Sequence, residues 1–142
     1  MRQFLLGEDM AKEQMLIAGE WCDSEDGATS DVLNPATGEV IATTPKATIS
    51  DVERCVQASR AALKSKEWAM MDPAQRGRVL QKMAAATYAN AKSLAALESA
   101  NNGKTFREAL SEVRYGAWTL EYFAGLSDKI EGSTIPAVSY TH

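Results

Sequence analysis

Hydrophobic and polar residues alternate with the period of β structure early in the chain and with the period of helices later. The early part is rich in valine, isoleucine and threonine, which favour strands. Residues 15–22 predict a short strand, and residues 31–45 predict a β-hairpin. At the tip of the hairpin, Asn34 and Pro35 suit the opening of a tight turn, and Gly38 suits a positive φ.

Three later stretches carry apolar residues at every third or fourth position and predict three long amphipathic helices. Each stretch has a start signal: a capping box at residues 50–53, Asp72 followed by proline, and a second capping box at residues 105–108. The second helix is expected to run without interruption to the Asn-Gly pair at 102–103, where glycine favours a left-handed C-cap. The apolar stripes are interpreted as packing faces.

The two ends of the chain follow neither pattern. Residues 1–14 hold a short apolar patch and then turn acidic, and we predict a flexible N-terminal extension there. Residues 133–142 form an extended segment after Gly132, and Pro136 within it favours an edge strand. The predicted fold class is therefore α+β, with three long helices, a β-hairpin and a terminal edge strand.

Composition and charge exclude several classes of function. The 142 residues are 45% hydrophobic and 24% charged, as in an ordinary soluble domain. A net charge of −4 argues against nucleic acid as a partner, and no apolar run approaches the ~20 residues of a membrane span. Cys22 beside an acidic loop and Cys55 on an apolar stripe predict reduced thiols in a cytoplasmic protein rather than nucleophiles.

Candidate catalytic motifs are scarce. Gly103 and Lys104 resemble the end of a phosphate-binding loop, but Glu98 stands where that loop needs its first glycine, and a helix precedes the motif. A turn between two helices is therefore predicted. The sequence has no G-x-G-x-x-G fingerprint. Its single histidine, His142, excludes a His-based metal site and argues against a Cys–His pair.

Several short motifs, taken in their order, resemble those of the NAD(P)-dependent aldehyde dehydrogenase family. They are LIAGEW at 16–21, LNPATGEVI at 33–41, NGK at 102–104, YFAG at 122–125 and DKIEGSTIP at 128–136. The resemblance covers nearly the whole chain. It implies that residues 15–142 are the N-terminal part of an α/β, Rossmann-like cofactor domain, in which residues 133–142 start an oligomerisation strand.

The same resemblance implies an activity whose chemistry lies elsewhere. In this family a cysteine attacks the aldehyde, NAD(P) accepts hydride, and a glutamate activates water to release the carboxylic acid. These residues and the cofactor loops belong to motifs beyond the matching region. We therefore name no catalytic or cofactor-binding residue here. NAD or NADP is expected in the full-length enzyme, and we predict no cofactor and no activity for this chain alone.

The resemblance also implies a weak candidate site for a monovalent cation. Some members bind such an ion through backbone carbonyls at the start of the Asn-Pro turn and an aspartate before the Asn-Gly-Lys motif. The matching positions are Val32, Leu33 and Asn101. Because Asn101 offers a neutral amide instead of a carboxylate, most of the charge attraction for a hard cation is lost.

A second weak candidate site lies on the third predicted helix, which in this family lines the entrance for the aldehyde. By position, Glu112, Tyr115 and Trp118 would face that entrance. A glutamate there would favour cationic aldehydes. The alternative interpretation of these three residues is an ordinary amphipathic helix.

Two hypotheses of different classes remain for the chain as a whole. The first is an enzyme segment whose helix faces pack against the remainder of an aldehyde-oxidising dehydrogenase. The second is a stand-alone, non-catalytic helical module for assembly or regulation. In either case an isolated chain would expose apolar helix faces and an unpaired strand edge, so we predict self-association.

Overall fold

The structure, a computed structural model, describes residues 11–133 and shows two small sheets followed by helices. The α+β class predicted from the sequence is confirmed. Positions 1–10 of the expected extension and 134–142 of the expected edge strand lie outside the described residues. The elements are β1 (Ala11–Lys12), β2 (Met15–Ile17), β3 (Glu20–Cys22), β4 (Thr29–Leu33), β5 (Val40–Pro45), α1 (Ile49–Lys64), α2 (Lys66–Ala69), α3 (Pro73–Ala89), α4 (Ala91–Asn102) and α5 (Phe106–Leu126).

The predicted hairpin is confirmed as the antiparallel pair β4–β5. Its loop is closed by Asn34, whose N–H donates to the Glu39 carbonyl at 2.9 Å, and by Gly38, which donates back to the Asn34 carbonyl at 2.7 Å. The φ of Gly38 is +73°, as the turn requires. A register shift between Val32 and Leu33 adds a β-bulge at the base of the loop.

The single strand predicted for residues 15–22 is wrong, because this segment is a second hairpin of β2 and β3. Ala18 and Gly19 form its two-residue turn with φ values of +55° and +85°, which is the pattern of a type I′ turn. The two strands pair only with each other among the described residues.

Strand β1 adds a third member to the larger sheet, whose strand order is β1-β5-β4. It runs parallel to β5, with Ala11 opposite Ala42 and Lys12 opposite Thr43. The last residues of the expected N-terminal extension are therefore paired with the sheet rather than free of it.

Helix α1 starts two residues before the predicted capping box at 50–53. Its N-cap is Thr48, whose hydroxyl accepts from the Asp51 N–H while the Asp51 carboxylate accepts from the Thr48 N–H at 2.8 Å. The Asp51 carboxylate also accepts from the Glu25 N–H at 3.2 Å and pairs with Arg54. Asp51 is buried, so its carboxylate needs these donors, and an N-cap at Thr48 supplies two of them, its N–H and its hydroxyl.

The second predicted helix is wrong as a single element, because Asn90 divides it into α3 and α4. Asn90 has φ −103° and ψ 11°, outside the helical range. Its side-chain amide donates to the Ala86 carbonyl at 2.9 Å, and its backbone N–H donates to the same carbonyl at 3.1 Å. An asparagine side chain that bonds a nearby backbone carbonyl competes with the hydrogen bonds of the helix. With the short α2, capped by Ser65, the described chain has five helices instead of three.

The core lies where α5 packs against α3 and α4. Small side chains at these contacts let the helix backbones approach closely. The sequence indicates such an approach, since the second predicted helix is rich in alanine. The buried hydrophobic residues of the described chain are all alanines: Ala84, Ala91, Ala95, Ala109, Ala117 and Ala124.

Many large apolar side chains, by contrast, remain on the surface of this part of the chain. Ile49 at the start of α1 is 81% exposed, and Ile130 after α5 is 90% exposed. Trp21 and Leu63 are exposed as well. Among residues 11–133, no helix combines the length and the apolar character that crossing a membrane demands.

Candidate functional site

The tip of the β4–β5 hairpin lies against the turn between α4 and α5. Gly103 caps the end of α4 with φ +81°, the left-handed conformation that glycine favours. A Cβ atom on Gly103 would stand 2.9 Å from Cγ of Pro35, so the two turns are in direct contact. A cleft of about 330 Å³ lies at this junction. Two motifs far apart in the sequence thus form one site.

Lys104 follows this contact and links α4 to α5 through its ammonium group. Its Nζ lies 2.5 Å from Oε2 of Glu112 on α5 and 3.0 Å from Oε1 of Glu98 on α4. These carboxylates, Glu112 first, raise the pKa of Lys104 above its ordinary value. This cluster is not evident in the sequence, because a lysine in a turn usually indicates only a solvated charge.

The three candidate entrance residues lie on consecutive turns of α5 and are all exposed. Tyr115 and Trp118 stack with their ring centroids 5.4 Å apart, and Trp118 contacts Tyr122 at 5.9 Å. Glu112 lies one turn before Tyr115 and is held toward Lys104. The arrangement combines a carboxylate with an aromatic surface, and its role at an aldehyde entrance stays a prediction.

The candidate cation residues come from the two turns that meet. Val32 and Leu33 end β4 at the bulge, and Asn101 lies in the last turn of α4. Within residues 11–133, no group of three or more His, Cys, Asp or Glu side chains could hold a metal ion. A cation here would therefore depend on backbone carbonyls and the Asn101 amide, and this site also stays a prediction.

Neither cysteine lies in a setting that indicates a nucleophile. Cys55 is exposed on α1, contrary to the apolar stripe predicted from its spacing. Cys22 is half-buried beside a cleft of about 440 Å³ that Arg54 also lines. The Arg54 guanidinium pairs with the Asp51 carboxylate, and this bond is the chief cause that raises the pKa of Arg54 above its ordinary value.

Helix N-termini are the ends at which proteins commonly bind the phosphates of a dinucleotide. A phosphate binds such an end through free backbone N–H groups. On α1, α3 and α5 a capping box of the chain already bonds one of these N–H groups, that of the third helical residue. The bonds run from Asp51 N–H to Thr48, from Gln75 N–H to Asp72 and from Glu108 N–H to Thr105.

Comparison with known proteins gives consistent results. Residues 21–142 match the family model described as "Aldehyde dehydrogenase family". The (Z)-2-((N-methylformamido)methylene)-5-hydroxybutyrolactone dehydrogenase of Acinetobacter baylyi is 43% identical over 128 residues, which cover 89% of this chain and 26% of that protein.

Solved structures of similar proteins agree with this match. A variant of a Bacillus cereus aldehyde dehydrogenase superimposes with a TM-score of 0.85 at 33% identity, over 96% of this chain and 27% of that one. A betaine aldehyde dehydrogenase variant from Staphylococcus aureus, in complex with NAD+, gives 0.82 at 34% identity, over 90% and 26%. The chain therefore spans about a quarter of the length of these relatives.

Proposed function

This chain belongs to the aldehyde dehydrogenase family, and from that premise we propose that it is the N-terminal segment of an enzyme that oxidises aldehydes to carboxylic acids. Its contribution is structural: the α3–α4–α5 layer and the two hairpins form a scaffold for the rest of the enzyme. The observation that carries this proposal is the pattern of burial. The described residues bury only alanines as hydrophobic core and leave many of their large apolar side chains exposed, which fits a layer that another part of a protein covers.

The cofactor of the complete enzyme is proposed to be NAD or NADP, held by residues other than those described here. NAD+ is bound in one of the similar solved structures. Because the resemblance assigns the cofactor loops and the catalytic residues to motifs beyond the matching region, we assign no step of the reaction to residues 11–133. The isolated chain is accordingly proposed to be inactive.

The substrate class is proposed from the surface of α5. If Glu112, Tyr115 and Trp118 line the route of the aldehyde, a carboxylate beside exposed aromatic rings favours a cationic aldehyde. One of the similar structures is named for betaine aldehyde, which carries such a positive charge. As a secondary proposal, Val32, Leu33 and Asn101 bind a monovalent cation that has a structural role.

An assay of the chain in two contexts tests the proposed function. The purified 142-residue chain is expected to reduce neither NAD nor NADP with aldehydes above the rate without protein. A family member that lacks the homologous segment is expected to be inactive alone and to regain aldehyde oxidation when it is co-expressed with this chain.

Aldehyde-dependent reduction of the nicotinamide by the isolated chain would contradict the proposal. Failure of the co-expressed chain to associate with its partner, together with a well-folded monomer, would favour the alternative of a stand-alone module. The control for co-expression is the chain with Gly77→Val, whose side chain cannot fit at the α3–α5 contact.

A further inference from the structure

We infer that Lys104 is a positioning residue that determines how strongly Glu112 attracts a cationic substrate. The inference rests on the proposed function, in which Glu112 lines the route of the aldehyde. In the structure Glu112 is not a free carboxylate, because the Lys104 ammonium lies 2.5 Å from its Oε2 atom. A substrate that approaches α5 therefore meets a compensated charge.

The position of Lys104 is fixed by its backbone rather than by its charge. Its carbonyl accepts from the Ser99 hydroxyl at 2.7 Å, and the preceding Gly103 lies against Pro35. The following Thr105 is the N-cap of α5. The side chain of Lys104 is 21% exposed, whereas that of Glu112 is 61% exposed, so the lysine is the more buried partner of the pair.

Glu98 limits this compensation, because it shares the same ammonium. Its Oε1 atom lies 3.0 Å from Nζ of Lys104, so the cluster holds two carboxylates and one cation and has a net charge of −1. Removal of the cation would leave two uncompensated negative charges. Removal of Glu98 would instead leave Lys104 entirely to Glu112. The two substitutions are therefore expected to change the substrate preference in opposite directions.

The test uses the complete dehydrogenase that carries this segment and two aldehydes of the same shape, one with a quaternary ammonium group and one with a neutral tert-butyl group. Lys104→Met is expected to raise the ratio of kcat/KM for the cationic over the neutral aldehyde about twofold to fivefold, the range expected for one exposed ion pair. The change is expected in KM, and to shrink at high ionic strength.

Four further variants separate positioning from mere stability. Glu98→Gln is expected to lower the same ratio, and Lys104→Arg to restore the wild-type value. Lys92→Met, on the exposed side of α4, is the matched control and is expected to leave the ratio unchanged. In a Glu112→Gln background, Lys104→Met is expected to have no further effect, since its target is gone.

The outcomes distinguish a failure of the role inferred for Lys104 from a failure of the entrance role proposed for Glu112. If Glu112→Gln leaves the ratio unchanged, the entrance role of Glu112 fails and the inference falls with it. If Glu112→Gln lowers the ratio but Lys104→Met and Glu98→Gln do not move it in opposite directions, the entrance role stands and the role of Lys104 is overturned. An equal effect of Lys104→Met with and without Glu112 also overturns it.

Discussion

Asp51 is 1% exposed and carries a charge that several donors satisfy. The backbone N–H groups of Thr48 and Glu25 donate to its carboxylate, as do the Thr48 hydroxyl and the Arg54 guanidinium. The Thr48 N–H is the largest cause, with Arg54 second, of a pKa well below the ordinary aspartate range. This one residue joins the start of α1 to the loop after β3.

Asp51→Asn is expected to destabilise the chain, because the amide cannot accept from all of these donors and leaves Arg54 without its counter-charge. A carboxylate whose pKa is lowered in the folded state stabilises above the unfolded pKa of about 4 and loses that contribution as pH falls. The difference in stability between wild type and variant is therefore expected to be largest near neutral pH and to shrink below about pH 4.

Urea unfolding of both chains across this pH range measures the difference. The matched control is Asp72→Asn, an exposed N-cap on α3 that asparagine can replace as a cap. If the loss of stability in Asp51→Asn did not depend on pH, or if Asp72→Asn lost as much stability, the buried charge network would not be the cause.

At the scale of elements, the contact between α3 and α5 depends on a glycine within a helix. A Cβ atom on Gly77 would stand 2.7 Å from the backbone carbonyl of Ala124 and would also meet the Ser127 hydroxyl. The hydroxyl can rotate away, but the carbonyl cannot. Helix propensity alone would favour alanine at this position, so packing and propensity oppose each other here.

Gly77→Ala is expected to destabilise the folded chain by about 1–3 kcal/mol, because α3 and α5 must move apart. The control is Gly116→Ala on α5, where a Cβ atom meets nothing within 4 Å. That substitution is expected to stabilise by about 0.5–1 kcal/mol through helix propensity. Chemical unfolding checks both, and a gain in stability at Gly77 would refute the close contact.

At the scale of the whole molecule, exposed apolar side chains are gathered on particular faces. Tyr115, Trp118, Tyr122 and Phe123 form a continuous series of ring contacts on α5, each at least half exposed. Leu63 and Trp68 line a separate apolar groove of about 580 Å³ beside α2. Contiguous apolar surface of this kind is typical of contacts with other protein.

We propose that the isolated chain associates with itself through the aromatic series on α5. Sedimentation equilibrium is expected to give a mass that rises with protein concentration, and more steeply in sulfate, which strengthens apolar burial. Replacement of Trp118, Tyr122 and Phe123 by glutamine is expected to lower the mass toward that of one chain. An unchanged association of this variant, or a single monomeric species at every concentration, would contradict the proposal.

The candidate site was only partly predictable. Asn34, Gly38 and Gly103 were assigned correctly to turns, because a tight turn requires particular side chains and φ values at fixed offsets. The resemblance located Glu112, Tyr115 and Trp118 on one helix, and the structure confirms that all three lie on α5. The partnership of Lys104 with both Glu98 and Glu112 was not predictable, since it depends on how α4 and α5 are turned toward each other.

The sequence by itself determined the α+β class, the β4–β5 hairpin, and the starts of α3 at Asp72 and α5 at Thr105. Each follows from signals that act over a few residues, such as a cap, a proline or a glycine with positive φ. Only the tertiary structure adds to the local Thr48–Asp51 capping box of α1 a donor from the loop after β3, the Glu25 N–H. It also decided which charges pair and which apolar faces stay open, because both depend on residues that only folding brings together.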